Sequence, residues 1–303
     1  MKKSTKILIG LLVLFAAVYA VERLTYTSST IENSNPFSKI DTSKVSRIAI
    51  SFPPGGKEIV IEKESRGWFI VNPLRFPADE SEINLLLSSV GSNPKASVVA
   101  DNLSDSLSYG LNSAAPTLRI SENIQKEISL RIGDATPDFD GCYVELVGNN
   151  KILNLSRNIR TYAAEALTDW RDKRIFDFRF ADISAADFAF GDTLVHFLHR
   201  DTIWQINGNN IPVQRVHDVI GDFIGTRAMN FVDSSYSGAK SVVDYGFSLV
   251  NGGRVAGRVM RLADQTLVSN SSNGQTYVIG SLTSDNLERG LKGISKDYLN
   301  KRQ

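Results

Sequence analysis

The 303 residues carry 34 Lys and Arg against 33 Asp and Glu, which leaves no basic face or acidic tail for nucleic acid and excludes it as an expected partner. A chain of this length holds about two domains of ordinary size. Its one cysteine, Cys142, excludes an internal disulfide framework and any cysteine-based zinc cluster.

Lys2, Lys3 and Lys6 precede an apolar run, Ile7 to Val21, which Glu22 and Arg23 close. As helix its 15 residues span about 22 Å, short against a hydrocarbon core of about 30 Å. Length thus favours a cleavable signal, with Val18-Tyr19-Ala20 as the cleavage site. The flanks favour an uncleaved anchor: Lys6 can snorkel at one end, and Tyr19, Leu24 and Tyr26 can extend the helix into the far interface. We read residues 1–24 as a signal anchor. No cysteine follows the run, so a lipoprotein anchor is excluded. The lysines before the run place the N-terminus in the cytoplasm and the bulk of the chain in the periplasm, as a single-pass inner-membrane protein. Residues 25–39 begin Ser, Thr and Asn rich and read as a linker.

Beyond the linker the chain repeats itself. Val45 to Phe52, the segment KEIVIEK and the segment GWFIV are short alternating runs bounded by turn residues, the pattern of an antiparallel meander. Ile183 to Phe190, LVHFLHR and TIWQI repeat that order. Pro53 to Gly56 and Gly191-Asp192 supply the first hairpin turns. A helix follows in each half, opened by Pro77 with Ile83, Leu86, Leu87 and Val90 at helical spacing, and by Pro212 with Val216, Val219, Ile220, Phe223 and Ile224. Trp68 precedes Tyr109-Gly110 by the same 41 residues that separate Trp204 from Tyr245-Gly246. On that frame SLRIGD (Ser129 to Asp134) matches VMRLAD (Val259 to Asp264), and CYVEL matches TYVIG through Tyr143 and Tyr277. Short helices, Asn158 to Leu167 and Ser284 to Leu291, close the halves. The expected fold is α+β: two tandem related domains, 40–175 and 176–303, each an antiparallel sheet with helices on one face, joined near Arg174 to Phe176.

The Trp68 strand, the phrase FPADESEINLLLSSV, SYGL, GDATPDFDGCYVEL, the DWRDKRIFDF junction (Asp169 to Phe178) and the N-terminal VYAVERL together resemble the family named only as domain of unknown function 4340. The second half departs from that pattern, with Val-Asp before its Tyr-Gly and no counterpart of Pro116. The resemblance implies a single-anchor protein facing the periplasm or cell exterior, often encoded beside an ABC transporter and an auxiliary subunit of the gliding-motility type. It carries over no catalytic residues.

Candidate chemistry is sparse. His196 and His199 stand three apart on a strand and so point to opposite faces, which with a distant His217 argues against a metal pair. Asp134, Asp138 and Asp140 crowd one hairpin loop but lack the alternate acidic positions and distal glutamate of a calcium loop. Ser92 and Lys95 have the serine–lysine spacing of some acyl-transfer enzymes, and Pro94 between them breaks the shared helix face. Trp68 and Trp204 read as core, and the mixed charges of Asp169 to Arg174 as solvated ion pairs at the joint. No catalytic, cofactor-binding or metal residue is assigned, and no cofactor is expected. The expected function is non-enzymatic: an envelope protein accessory to an ABC-type membrane transporter, with transporter subunits and the inner membrane as partners. The alternative is a periplasmic binding module for envelope glycan or peptide. An undetected hydrolase ranks below both.

Overall fold

The structure, a computed structural model, describes residues 12–19, 36–53, 56–92, 94–233 and 236–299. Most of the anchor read over 1–24 and of the linker read over 25–39 lies outside the described residues. Residues 12–19 are helical and exposed. Among the described residues no helix is long and apolar enough to cross a membrane.

The chain divides into two compact units, Met1–Asp172 and Lys173–Gln303. In the first, nine strands build one antiparallel sheet: β1 (Arg47–Phe52), β2 (Lys57–Glu64), β3 (Gly67–Asn72), β4 (Phe76–Pro77), β5 (Ala96–Ala100), β6 (Thr117–Asn123), β7 (Lys126–Ala135), β8 (Cys142–Leu146) and β9 (Ile152–Leu155). Their order across the sheet is β4-β3-β2-β1-β6-β7-β8-β9-β5. The second unit contains β10 (Ile183–Phe190), β11 (Thr193–Arg200), β12 (Ile203–Ile206), β13 (Asn209–Ile211), β14 (Asn230–Phe231), β15 (Lys240–Leu249), β16 (Arg254–Leu262), β17 (Gln265–Asn270) and β18 (Gln275–Ile279). Its order, β13-β12-β11-β10-β15-β16-β17-β18-β14, repeats that of the first strand for strand.

Both sheets form because apolar side chains recur at every second position on one face. Ile48 and Ile50 of β1 face Ile61 and Ile59 of β2 on one side and Ile120 and Leu118 of β6 on the other. All six are buried in a cluster that also takes in Ile83, Leu86 and Val90 of the helix Glu80–Gly91. Each such aliphatic contributes about 1.5–3 kcal/mol by leaving water. The helix starts where Asp79 accepts the amide N–H of Ser81 at 2.9 Å, and Glu80 and Glu82 in its first turn suit the positive end of its dipole. In the second unit the equivalent positions carry rings instead. Phe188 lies opposite Tyr245, Ala186 opposite Phe247, and Phe176 and Phe223 pack edge-on against Tyr245.

The fold is thus mostly β, with helices fewer than the α+β expectation implies, because strands as short as β4, β13 and β14 offer no readable period. The three leading strand pairs match as read from the sequence. Trp68 lies opposite Lys63 and Trp204 opposite His199, across hairpin turns of equal length, and both indoles are buried.

The rest of the shared frame does not hold. Tyr109 closes a 3-10 turn, Ser106–Tyr109, and Gly110 follows in the left-handed region at φ 72°, whereas Tyr245-Gly246 sits inside β15. The counterpart of Tyr245 is Leu118, since each faces the matching residue of its sheet's first strand, Phe188 and Ile50. SLRIGD and VMRLAD do share equivalent strands, but three residues out of register: Leu130 pairs with Leu118 as Gly257 pairs with Tyr245. CYVEL is β8 and TYVIG is β18, so Tyr143 and Tyr277 are not counterparts. The closing helices also differ from expectation. The first unit has only Arg160–Ala164 and Leu167–Trp170, while the second ends in an 18-residue helix, Ser281–Tyr298. The helix opened by Pro212 is interrupted by a π turn over His217–Gly221.

The DWRDKR run, read as solvated ion pairs, is in part built into the first unit. Ala78 bridges Arg171, the amide of Asp79 donates to the Trp170 carbonyl, and the amide of Asp172 donates to the Pro77 carbonyl. Residues 170–172 thereby cover the free edge of β4. Trp170 and Arg171 are buried, and the Arg171 guanidinium lies 3.5 Å from the Phe76 ring centroid, a cation–π contact shielded from water.

Candidate functional site

The reactive side chains marked in the sequence are not brought together. His196 pairs across strands with Asp187 at 2.7 Å, both half-exposed. His199 stacks on Trp204 with centroids 4.6 Å apart, and His217 meets the Phe180 ring edge-on at 5.1 Å. Among the described residues no group of three or more His, Cys, Asp or Glu could hold a metal ion. Ser92 caps its helix, its hydroxyl donating to the Ser89 carbonyl at 2.8 Å, while the amide of Lys95 donates to the Ser156 hydroxyl at 2.9 Å. Asp138 accepts from the Thr136 hydroxyl and from the amide of Asp140, which holds its carboxyl below the ordinary range. These are turn bonds. Cys142 is buried, and burial pushes its thiol above the ordinary value.

What the fold does bring together are two of the family phrases. The SYGL turn lies flat on the Gly133-Asp134 segment of β7, and two glycines allow that approach. A Cβ on Gly110 would stand 2.4 Å from the carboxyl carbon of Asp134, and one on Gly133 would stand 2.1 Å from the carbonyl oxygen of Tyr109. Neither position has room for a side chain. Charged groups lock the arrangement. Arg131 donates to the carbonyls of Leu111 and Asn112 at 3.2 and 2.7 Å and to the buried Glu145 carboxylate at 2.6 Å. Arg160 donates to the Gly133 carbonyl at 2.8 Å and to Asp134 at 3.3 Å. Tyr109 packs edge-on against Tyr143 at 4.8 Å.

Beside this interlock is an open cleft of about 520 Å³ lined by Gly110, Asn112, Ala114 to Pro116, Ile132 to Asp134, Asn158, Arg160, Thr161 and small helix residues. It offers backbone, small apolar surface and one half-exposed ion pair. The polar side chains it offers are those of Asn112, Asn158 and Thr161 beside the Arg160–Asp134 pair. The sequence marks the two phrases but not their contact, because nothing in a one-dimensional pattern shows that Gly110 and Gly133 face each other.

A second cleft, of about 770 Å³, was not legible at all. Pro36, Ser38, Lys39 and Ile40 line it with Gln125 to Ser129 and Leu146 to Asn149. Phe37 is buried in the first unit's core, and the amide of Asp41 donates to the Glu122 carboxylate at 2.6 Å, which holds that carboxyl low. The segment joining the linker to the sheet is therefore part of the fold. The second unit has a cleft of its own, where Tyr245 donates to the Ser269 carbonyl at 2.6 Å and Asn270 donates to the Ile175 carbonyl, also at 2.6 Å.

Structurally, the molecule belongs to the mostly β proteins, with two tandem antiparallel sheets of identical strand order and interlocked surface turns in the first. The model of the family described as Domain of unknown function (DUF4340) matches residues 68–248, more than half of the chain, so the chain belongs to that family. The match runs from Trp68 in β3 to Ser248 in β15 and thus draws on both units. No curated protein and no solved structure matches the chain.

Proposed function

We propose that the chain is a non-enzymatic, single-anchor envelope protein that assists an ABC-type membrane transporter. In this reading residues 1–24 form a transmembrane helix with its N-terminus in the cytoplasm, the linker read over 25–39 joins it to the fold, which it enters by Phe37, and both sheet units face the periplasm with their helices on one face. The observation that carries the reading is the apolar run Ile7 to Val21 behind three lysines, set before two sheet units of one topology. Membership of the family supports it, since the resemblance implies the company of an ABC transporter. Tethering raises effective concentration, so a weak contact with a membrane neighbour suffices. The test is mild crosslinking of the full chain in native membranes followed by purification. Transporter subunits are expected in the eluate; recovery of envelope glycan with no membrane protein overturns the reading.

The cleft beside Gly110 and Gly133 favours a second reading, a periplasmic binding module for envelope glycan or peptide. Retention of the protein on envelope polymer, lost on filling the cleft with Ala115→Trp, would select it.

A further inference from the structure

The end of the first unit where the chain rejoins the sheet carries two exposed apolar turns. Ile124, at the tip of the β6–β7 turn, is 102 % exposed, and Val147 in the β8–β9 turn is about half exposed at 49 %. Val147 and Gln125, the neighbour of Ile124, line the same cleft as Pro36 and Lys39. The Asp41–Glu122 hydrogen bond and the buried Phe37 fix that segment to this end. Only 14 residues, 22 to 35, lie between Val21, the last of the apolar run, and Pro36. A stretch of that length reaches at most about 50 Å, comparable with the diameter of roughly 40 Å expected of a domain this size. In the anchored reading, the face from which the chain emerges at Pro36 is the one nearest its attachment to the bilayer.

We propose that this end of the first unit rests on the lipid surface that holds the N-terminal run, with Ile124 and Val147 dipping among the headgroups. The proposal rests on the anchored reading and deepens it by naming the face that meets lipid. Charge at this end is mixed, with Lys44 held by Asp41 at 3.0 Å and Lys126 by Glu122 at 3.3 Å. The contact we propose is that of the two apolar side chains, which depends little on salt or on anionic lipid.

The test uses the full chain carrying Ile124→Cys labelled with an environment-sensitive fluorophore and reconstituted into phosphatidylcholine vesicles. Cys142 is 0 % exposed, so the label goes to position 124. Phe139→Cys, at the exposed β7–β8 turn at the opposite end of the same unit, is the control. The expected result is a blue shift and quenching by spin-labelled lipid at position 124, retained at high salt, with no response at position 139. A water-like signal at position 124 in protein that floats with the vesicles overturns the proposal and leaves the anchor standing, as does an equal response at position 139. Failure of the protein to float overturns the anchored reading and the proposal with it.

Discussion

Gly133 shows how one residue can fix a surface. Its missing side chain leaves the space that the Tyr109 carbonyl occupies, and Gly110 does the same for the Asp134 carboxylate. Gly133→Ala should cost about 1–3 kcal/mol, as overpacking against backbone does, and Gly110→Ala should cost about 1 kcal/mol more for its left-handed conformation. Urea unfolding of the two variants checks both values; unchanged midpoints would show that the turn does not lie on the strand. Asp41 makes a second statement at this scale. Its carboxyl is held at about 2, first by the Ser43 hydroxyl, then by Lys44 and the Ser43 amide. A carboxyl whose folded value lies below its unfolded one stabilises at pH above the unfolded value of about 3.9, and that contribution is lost as pH falls through about 2. Ser43→Ala should therefore raise the Asp41 pKa towards the ordinary carboxylate range, as read by NMR titration of its side-chain carbons.

Strand identity was legible where a strand and its turn are both regular. The hairpins carrying Trp68 and Trp204 have alternating apolar residues and equal turns, so their equivalence follows from sequence. Register was not legible, because the two units fill the same space with different volumes. Leu118 faces Leu130 in one, and Tyr245 faces Gly257 in the other. A Cβ on Gly257 would collide first with the Ser269 carbonyl oxygen and then with the Tyr245 hydroxyl at 2.5 Å, so backbone and ring share the space of the missing side chain. Tyr245 in β15 thus answers to packing across strands, while its neighbour Gly246 has open space beside it, and the glycine of Tyr109-Gly110 answers to a left-handed turn. The helix Ser281–Tyr298 poses a similar exchange. A Cβ on Gly290 would stand 2.6 Å from Val219 in the π turn, so a residue that costs about 1 kcal/mol in a helix interior is kept for close packing. Gly290→Ala should destabilise despite its better propensity. Combined with Val219→Ala it should show a favourable coupling of about 1–2 kcal/mol in a double-mutant cycle, and additivity would remove the packing explanation.

At the scale of the molecule, two sheets of the same nine-strand order stand in one chain with different cores, aliphatic in the first and aromatic in the second. Topology is retained while core chemistry changes, as expected where apolar volume and patterning set the fold and individual side chains refine it. The duplication was legible from its first strands. The nine-strand extent was not, because β4 and β14 are two residues long. The covering of the β4 edge by Trp170 to Asp172 was hidden in a run that reads as charged and solvated. The clefts were hidden for another reason: each joins residues from turns distant in sequence. The functional account depends on where both units reside, and that depends on the lysines and apolar run at the N-terminus. Fusion of alkaline phosphatase after Gln303 of the full chain, with a cytoplasm-active reporter at the same position as its complement, tests this directly. The account predicts phosphatase activity in intact cells and a silent cytoplasmic reporter; the reverse pattern would contradict it.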